Sequence, residues 1–193
     1  PLCVLVTRKK NGGKGKALAD GVRKADELGL THVLQIDSDG QHDAERVGHF
    51  VEVSKKNPEA IICAYPEYDE SAPKHRVNGR TIANAWIHTV TLSKQIKDGM
   101  IGFRIYPVAP YVKLLNSHAI IDARMGYDID ILVRLFWKNV PVICESVKVT
   151  YPVDGVSNFR VVRDNARISI TYARLFLGMI VRLPILIYRK VKR

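Results

Sequence analysis

The stretch VLQIDSDGQHD, residues 33–43, decides the fold more than any other part of the sequence. A short, mostly apolar run leads directly into two carboxylates, Asp37 and Asp39, with Gln41 close behind. Such a run followed by acids and glycine is typical of a buried strand that ends in a loop. Because ligands of open α/β sheets bind beyond the carboxyl ends of strands, we expect a ligand site here.

Strands and helices alternate on both sides of this stretch. The predicted strands are residues 2–6, 32–36, 60–65, 101–106 and 140–150. The predicted helices follow the turn at residues 11–13 and then cover residues 44–56, 76–92, 111–115 and 128–137. Residues 66–74, with two prolines and three acids, are predicted to be a mobile loop. This alternation predicts an α/β fold whose sheet is mostly parallel and covered by helices on both faces.

Asp37 and Asp39 have the residue types and spacing of a divalent cation site. Mg²⁺ and Mn²⁺ prefer oxygen ligands and commonly keep substrate phosphates in their coordination shell. Gln41 adds an amide oxygen as a third candidate ligand. An EF-hand is excluded, since its loop requires a glutamate where this chain has Gly48. The alternative is a solvated acidic turn, because Asp, Ser and Gly are common turn residues.

The charge of the chain is concentrated in its last part. The 193 residues carry a net charge of +11, and the part from Arg160 onward holds nine basic residues and one acid, a net +8. On a helix, its arginines fall within an arc of about 100°, namely Arg163, Arg167, Arg174, Arg182 and Arg189. The remaining circumference is largely apolar, so residues 158–193 are predicted to form an amphipathic helix on an anionic membrane surface.

Two other interpretations of the basic segment are weaker. Nucleic-acid binding is disfavoured, because no aromatic side chains alternate with the basic ones as stacking platforms. A membrane-spanning helix is disfavoured by Arg174, Arg182 and Pro184, which interrupt the apolar run. A terminal helix that packs on the sheet and exposes a basic face remains a third interpretation.

Five motifs occur in the order found in family-two glycosyltransferases, which have the GT-A fold. They are NGGKGKAL at residues 11–18, DSDGQH at 37–42, GMIGFRIY at 99–106, MGYDIDILVR at 125–134 and YPVDGVS at 151–157. Each motif alone is modest evidence, since glycine-rich turns are common. Their order over nearly the whole chain makes the sequence resemble this family, with residues 1–157 as an incomplete GT-A catalytic domain.

The resemblance implies a nucleotide-diphosphate sugar as donor and Mg²⁺ or Mn²⁺ as cofactor. The implied metal ligands are Asp37, Asp39 and Gln41, and the implied donor-binding residues are Gly13, Lys14, Lys16, Asp37 and Asp39. Backbone N–H groups of the glycine-rich turn and one of the two lysines would face the diphosphate. For the lysines, solvated side chains at a helix N-terminus are the competing interpretation.

The resemblance also implies an acid on the acceptor side. Such an acid takes the proton of an attacking hydroxyl while direct displacement inverts the anomeric carbon. Asp130 is favoured as this base, because it precedes Ile-Leu-Val-Arg, the position at which the family usually places its acid. Asp128 is the second candidate. Only one can serve, since residues two apart on a helix point in different directions. Alternatively, both are first-turn carboxylates that the helix dipole stabilises.

The sequence departs from the family pattern in two places. Polyprenyl-phosphate sugar transferases, which it resembles more loosely, usually carry a basic residue where this chain has YPVD at residues 151–154. Ser157, Arg160 and Arg163 are the candidates to bind an acceptor or its phosphate instead. The family's first nucleotide-binding strand and acidic segment are also absent, so we expect weak or no activity from this chain alone.

The interpretation that explains most of these features is an inverting glycosyltransferase at the cytoplasmic face of a membrane, with a lipid or lipid-linked acceptor. It is expected to bind the anionic membrane surface peripherally and no nucleic acid. A phosphatase with Asp37 as nucleophile is one alternative, since such enzymes also place Asp-x-Asp after an apolar strand. A basic lipid- or nucleic-acid-binding module without catalytic activity is the other.

Overall fold

The structure is a computed structural model that describes residues 3–37, 42–68, 74–149 and 161–192. The helices are α1 (Lys14–Glu27), α2 (Val47–Lys56), α3 (Lys74–Thr91), α4 (Val108–Leu115), α5 (Tyr127–Trp137) and α6 (Val161–Val191), and a single 3-10 turn, Ala44–Arg46, precedes α2. The strands are β1 (His32–Gln35), β2 (Ile61–Tyr68), β3 (Arg104–Pro107) and β4 (Val142–Val149). The predicted α/β class and helix order are confirmed.

Two local predictions are wrong. Residues 3–6 form no strand, and Val4, Leu5 and Val6 stay 47%, 83% and 43% exposed, because no strand of the described sheet pairs with them. Residues 66–68 and 74 of the predicted loop 66–74 belong to β2 and α3, and residues 69–73 lie outside the described residues. β2 continues to Tyr68, where it still pairs with Val149 of β4, so parallel pairing extends the strand through Pro66.

The sheet is mixed, which corrects the prediction of a mostly parallel one. Its strand order is β1-β3-β2-β4, with β3 antiparallel to both neighbours and β2 parallel to β4. The cause is the segment between α3 and β3. It returns along the sheet, since Gln95 donates to Val142 O at 2.8 Å and Gly102 lies against Asp37. The chain therefore enters β3 from the carboxyl ends of the other strands.

Helices cover both faces of this sheet, as predicted. Alternate residues of β2 point to opposite faces. Ile61 and Cys63 join the larger core, which α1, α3, α4, α5 and α6 cover. Ile62 and Ala64 join the smaller core, where Phe50 of α2 is fully buried.

Three of the five arginines in the predicted arc contact α5, whereas Arg163 is exposed on the first turn of α6. Arg174 Nη2 lies 3.5 Å from Asp130 Oδ2. The Arg182 guanidinium lies 4.7 Å from the centre of the Trp137 ring, and Arg189 Nη1 donates to Trp137 O at 2.8 Å. These three side chains therefore fasten α6 to α5.

The outer side of α6 is apolar. Leu177, Val181 and Val191 are 64%, 80% and 83% exposed, and Ile187 is 48% exposed. By length and composition alone, residues Val162–Val191 are also apolar enough to cross a membrane. Buried Thr171 and Leu175 hold the inner side against the body, so α6 has a packed inner face and an unpartnered apolar outer one within the described structure.

Candidate functional site

The candidate site lies at the carboxyl end of β1, where three elements bring charged side chains together. Asp37 follows β1, Lys14 opens α1, and Asp128 lies in the first turn of α5. Lys14 Nζ is 2.6 Å from Asp37 Oδ1 and 2.8 Å from Asp128 Oδ2. One ammonium group therefore bridges two carboxylates that lie far apart in the sequence.

Two side chains of the sheet, one on β1 and one on β3, hold Asp128 in place. The side-chain amide of Gln35 donates to Asp128 Oδ1 at 2.8 Å, and Arg104 Nη1 donates to the backbone carbonyl of Asp128 at 2.8 Å. Gln35 and Arg104 are themselves register partners on β1 and β3, and both are buried. The first turn of α5 is thus fixed to the centre of the sheet through two hydrogen bonds.

Glycines allow these elements to approach one another closely. Gly13 has φ +89°, which favours glycine, and the backbone N–H of Gly15 donates to Ala123 O at 3.0 Å. A Cβ on Gly15 would lie 2.3 Å from the Tyr127 ring, and one on Gly102 would lie 2.1 Å from Asp37 Oδ2. Part of the glycine-rich turn therefore serves the packing of α1 on α5, which delivers Lys14 to Asp128.

The electrostatics of the cluster suit a cation. Burial alone lowers the pKa of Lys14, but the carboxylates of Asp128 and Asp37 outweigh burial and raise that pKa above its ordinary value. The Asp37–Asp128 oxygens thus already bind one cationic group. They are also the hard oxygen donors that Mg²⁺ or Mn²⁺ takes, so the residues fit the predicted metal. Within the described residues, no group of three or more His, Cys, Asp or Glu forms a complete metal site.

Asp130 occupies a different environment from Asp128. Its side chain is fully buried, pairs with Arg134 Nε, and accepts a hydrogen bond from the backbone N–H of Asp122 at 2.9 Å. Arg174 of α6 approaches it as well. Burial raises the pKa of Asp130, and the Arg134 guanidinium opposes that effect. Asp130 therefore joins α5, the preceding loop and α6, on the side of α5 away from Lys14.

The remaining predicted site residues divide into two groups. Lys16 is exposed, and within the described structure it makes no ion pair with Asp37 or Asp128. Arg163 is exposed on the first turn of α6. The other four lie outside the described residues, namely Asp39, Gln41, Ser157 and Arg160.

Sequence reasoning did not identify Gln35, Gly102 or Arg104. Gln35 could have been recognised as a candidate, because it is a polar residue inside the apolar run that precedes Asp37. Arg104 could have been recognised in the same way, as an arginine between Phe103 and Ile105. Gly102 lies in the motif GMIGFRIY, but the motif does not reveal its close approach to Asp37.

The fold and this cluster define an α/β protein with a charged ligand site at the carboxyl edge of its sheet. The sequence model of glycosyl transferase family 2 matches residues 1–118, more than half of the chain. The chain therefore belongs to glycosyl transferase family 2. No curated protein matches it by sequence.

The solved structures that resemble this chain include glucosyl-3-phosphoglycerate synthase from Mycobacterium tuberculosis. Its complex with phosphoglyceric acid superposes with a TM-score of 0.63 at 14% identity, over 89% of this chain and 56% of that one. Its complex with Mn²⁺, UDP-glucose and glycerol 3-phosphate gives 0.57 at 12% identity, over 90% and 56%. At this identity the likeness establishes a shared fold, which confirms the GT-A-like architecture. The chain spans about 56% of the length of that enzyme.

Proposed function

We propose that the protein transfers a sugar, with inversion, from a nucleotide-diphosphate donor to a lipid or lipid-linked acceptor, using Mg²⁺ or Mn²⁺. The observation that supports this most is the Lys14 bridge between Asp37 and Asp128 at 2.6 and 2.8 Å. It supplies carboxylates for a metal and a cation for a diphosphate at the same carboxyl edge. Family membership and the fold shared with a Mn²⁺- and UDP-glucose-bound enzyme agree with this proposal.

In this proposal Asp37, together with Asp39 and Gln41, holds the metal. The bound metal would neutralise charge that develops on the departing diphosphate. Lys14 lies at the amino end of α1, where the helix dipole also favours an anion, so its ammonium can bind the diphosphate when it leaves the carboxylates. Gly13 and Gly15 keep that end of α1 close to α5.

We assign the role of general base to Asp128 ahead of Asp130. Asp128 faces Lys14 and Asp37, whereas Asp130 is committed to Arg134 and the loop before α5. As the acceptor oxygen forms its bond to the anomeric carbon and the bond to the diphosphate breaks, the Asp128 carboxylate would take the hydroxyl proton. Gln35 keeps the carboxylate oriented for that transfer through its 2.8 Å hydrogen bond.

The outer face of α6 supports an acceptor in a membrane. Its exposed apolar residues include Leu177, Val181 and Val191, which are 64%, 80% and 83% exposed, and a contiguous exposed apolar surface can mark a membrane contact. Of the basic side chains that the sequence suggested for membrane contact, Arg182 and Arg189 contact α5, and Arg163 is exposed. We therefore propose peripheral attachment at the cytoplasmic membrane surface through the apolar face, with acidic lipids as partners.

The donor assignment is tested by nucleotide binding. In the intact protein we expect UDP-glucose or UDP to bind only with Mn²⁺ or Mg²⁺ present, and EDTA to abolish binding. Asp37→Asn should weaken the metal-dependent binding by roughly a hundredfold, since ligand and near-ligand changes have effects of this size. Calorimetry measures the affinity, and release of UDP with an acceptor extract measures transfer.

Glu52→Gln is the control for Asp37→Asn. Glu52 is an exposed acid on α2 that pairs with Lys55, far from the site, and its replacement should leave binding unchanged. Equal nucleotide affinity in wild-type protein and Asp37→Asn would contradict the proposal. Trapping of an aspartyl-phosphate at Asp37 would establish the phosphatase alternative in its place.

Membrane attachment is tested on the outer face of α6. The double variant Leu177→Asp, Val181→Asp should bind liposomes at least tenfold more weakly, because burial of each apolar side chain contributes about 1.5 to 3 kcal/mol. Vesicle sedimentation measures the bound fraction. Leu5→Asp with Ile120→Asp is the matched control, since these residues are 83% and 72% exposed outside α6. Equal loss in both double variants would refute a specific role for α6.

A further inference from the structure

A cavity lies at the opposite end of α5 from the cluster of Lys14, Asp37 and Asp128. It has a volume of about 480 Å³ between the carboxyl ends of α3, α5 and α6, and we call it the helix-end cavity. Its lining includes Leu92, Lys94, Phe136, Arg189 and Lys190. Phe136 follows Asp128 by two turns of α5, about 12 Å along the helix axis. The cavity is therefore separate from the proposed donor site.

The charge around the helix-end cavity is positive. Lys94, Arg189 and Lys190 line it together with His88, and none of the described residues that line it is acidic. The last carbonyls of α3 and α5 also point here and attract cations, which accounts for part of this charge. Arg189 serves that purpose, since its Nη1 donates to Trp137 O at 2.8 Å.

Two of the basic residues, Lys94 and Lys190, do not bind the terminal carbonyls of a helix. Lys94 and Lys190 are both exposed, and neither side chain has an ion pair or hydrogen bond with any residue in the described ranges. A cavity with two uncommitted ammonium groups and no carboxylate is complementary to a phosphate or another compact anion.

The walls of the cavity combine charged and apolar side chains. Leu92, Phe136 and Leu186 line it alongside the cations. Leu186 belongs to α6, and the neighbouring row of that helix, which includes Leu183, Ile187 and Val191, is 37%, 48% and 83% exposed. The apolar wall thus continues outward along α6. Acyl chains would bury apolar area against such a surface, whereas a small polar phosphate compound has no apolar part to bury there.

We infer that the helix-end cavity binds the phosphate headgroup of an acidic phospholipid, whose acyl chains lie along the exposed row of α6. Lys94 and Lys190 contact the phosphate, and Arg189 holds the end of α6 against α5. This inference rests on the proposed membrane attachment and adds a defined lipid site to it. The site fixes how the protein is oriented on the bilayer without taking part in sugar transfer.

The test uses the intact protein and vesicles of phosphatidylcholine with or without 30% phosphatidylglycerol, a composition of roughly the anionic content that polybasic sites sense. Lys94→Glu with Lys190→Glu should lower binding to the anionic vesicles by at least about thirtyfold, since loss of each lysine at a membrane surface removes about a factor of five and the introduced glutamates add repulsion. Binding to neutral vesicles, which depends on the apolar face, should stay within a few-fold of wild type.

Lys55→Glu with Lys56→Glu is the charge-matched control, because both lysines are exposed on α2 over the other face of the sheet. If this control loses anionic-vesicle binding equally, the effect is general electrostatics and the inference fails. It also fails if glycerol 3-phosphate binds with the same dependence on Lys94 and Lys190, since the site then takes a soluble phosphate. Unchanged Mn²⁺-dependent UDP binding in the Lys94 and Lys190 variant separates this test from that of the proposed function, and thermal unfolding confirms that each variant is folded.

Discussion

Replacement of Asp128 by asparagine is expected to lower kcat by roughly 100- to 10,000-fold, the range of a general base. The affinity for UDP with Mn²⁺ should change only a few-fold, because Asp37 remains. Asparagine keeps the shape of the side chain and its contact with Gln35 but cannot accept a proton. Single-turnover assays with the intact protein, combined with calorimetry, separate the chemical step from donor binding.

A hydroxyl acceptor and a phosphate acceptor give opposite results in this variant. A phosphate oxygen needs no base, so a kcat of Asp128→Asn near that of wild type would remove the proposed role of Asp128 and indicate a phosphate acceptor. Gln35→Glu is a useful companion variant. It replaces the donor of the 2.8 Å hydrogen bond with a second acid, and it should lower kcat because Asp128 loses the contact that orients its carboxylate.

Asp130→Ala is expected to reduce the free energy of unfolding by about 3 to 5 kcal/mol, the cost of breaking a buried ion pair. The carboxylate is fully buried, and its removal leaves the Arg134 guanidinium, whose side chain is only 15% exposed, without its partner. Chemical denaturation measures the loss. Asp26→Ala is the control, since Asp26 is an exposed acid on α1 and should change stability by less than about 0.5 kcal/mol.

The conservative variant Asp130→Asn distinguishes structure from catalysis. If Asp130 holds α5, α6 and the preceding loop together, Asp130→Asn is destabilised, but the folded fraction retains its turnover. A stable Asp130→Asn protein that binds UDP and has no turnover would return the role of base to Asp130.

The alternation of apolar runs was sufficient to predict the α/β class, most helices and the place of the site. The end of β1 is recognisable because apolar residues stop where Asp37 begins. The direction of β3 was not predictable in this way. It depends on the path of residues 92–103, which is fixed by contacts such as Gln95 with Val142, far apart in sequence.

The division of roles between Asp128 and Asp130 shows a similar limit. Helical geometry implies that the two side chains point in different directions. Which direction leads to Lys14 depends on how α1 packs against α5, and that packing depends on the contact of Gly15 with Tyr127. The arginine arc of α6 was equally visible in the sequence. That Arg182 and Arg189 contact Trp137 depends on how α6 packs on α5.

The Lys14 bridge has a consequence for the order in which ligands bind. Asp37, Asp128 and Lys14 together carry one negative charge, so a bare divalent ion must compete with an ammonium group that both carboxylates already hold. A metal that arrives with a diphosphate brings an anion to which Lys14 can transfer. Lys14 would then act as an exchangeable counter-ion. We expect metal and nucleotide to enter the site together, because the diphosphate would bind Lys14 and leave the carboxylates available to the metal.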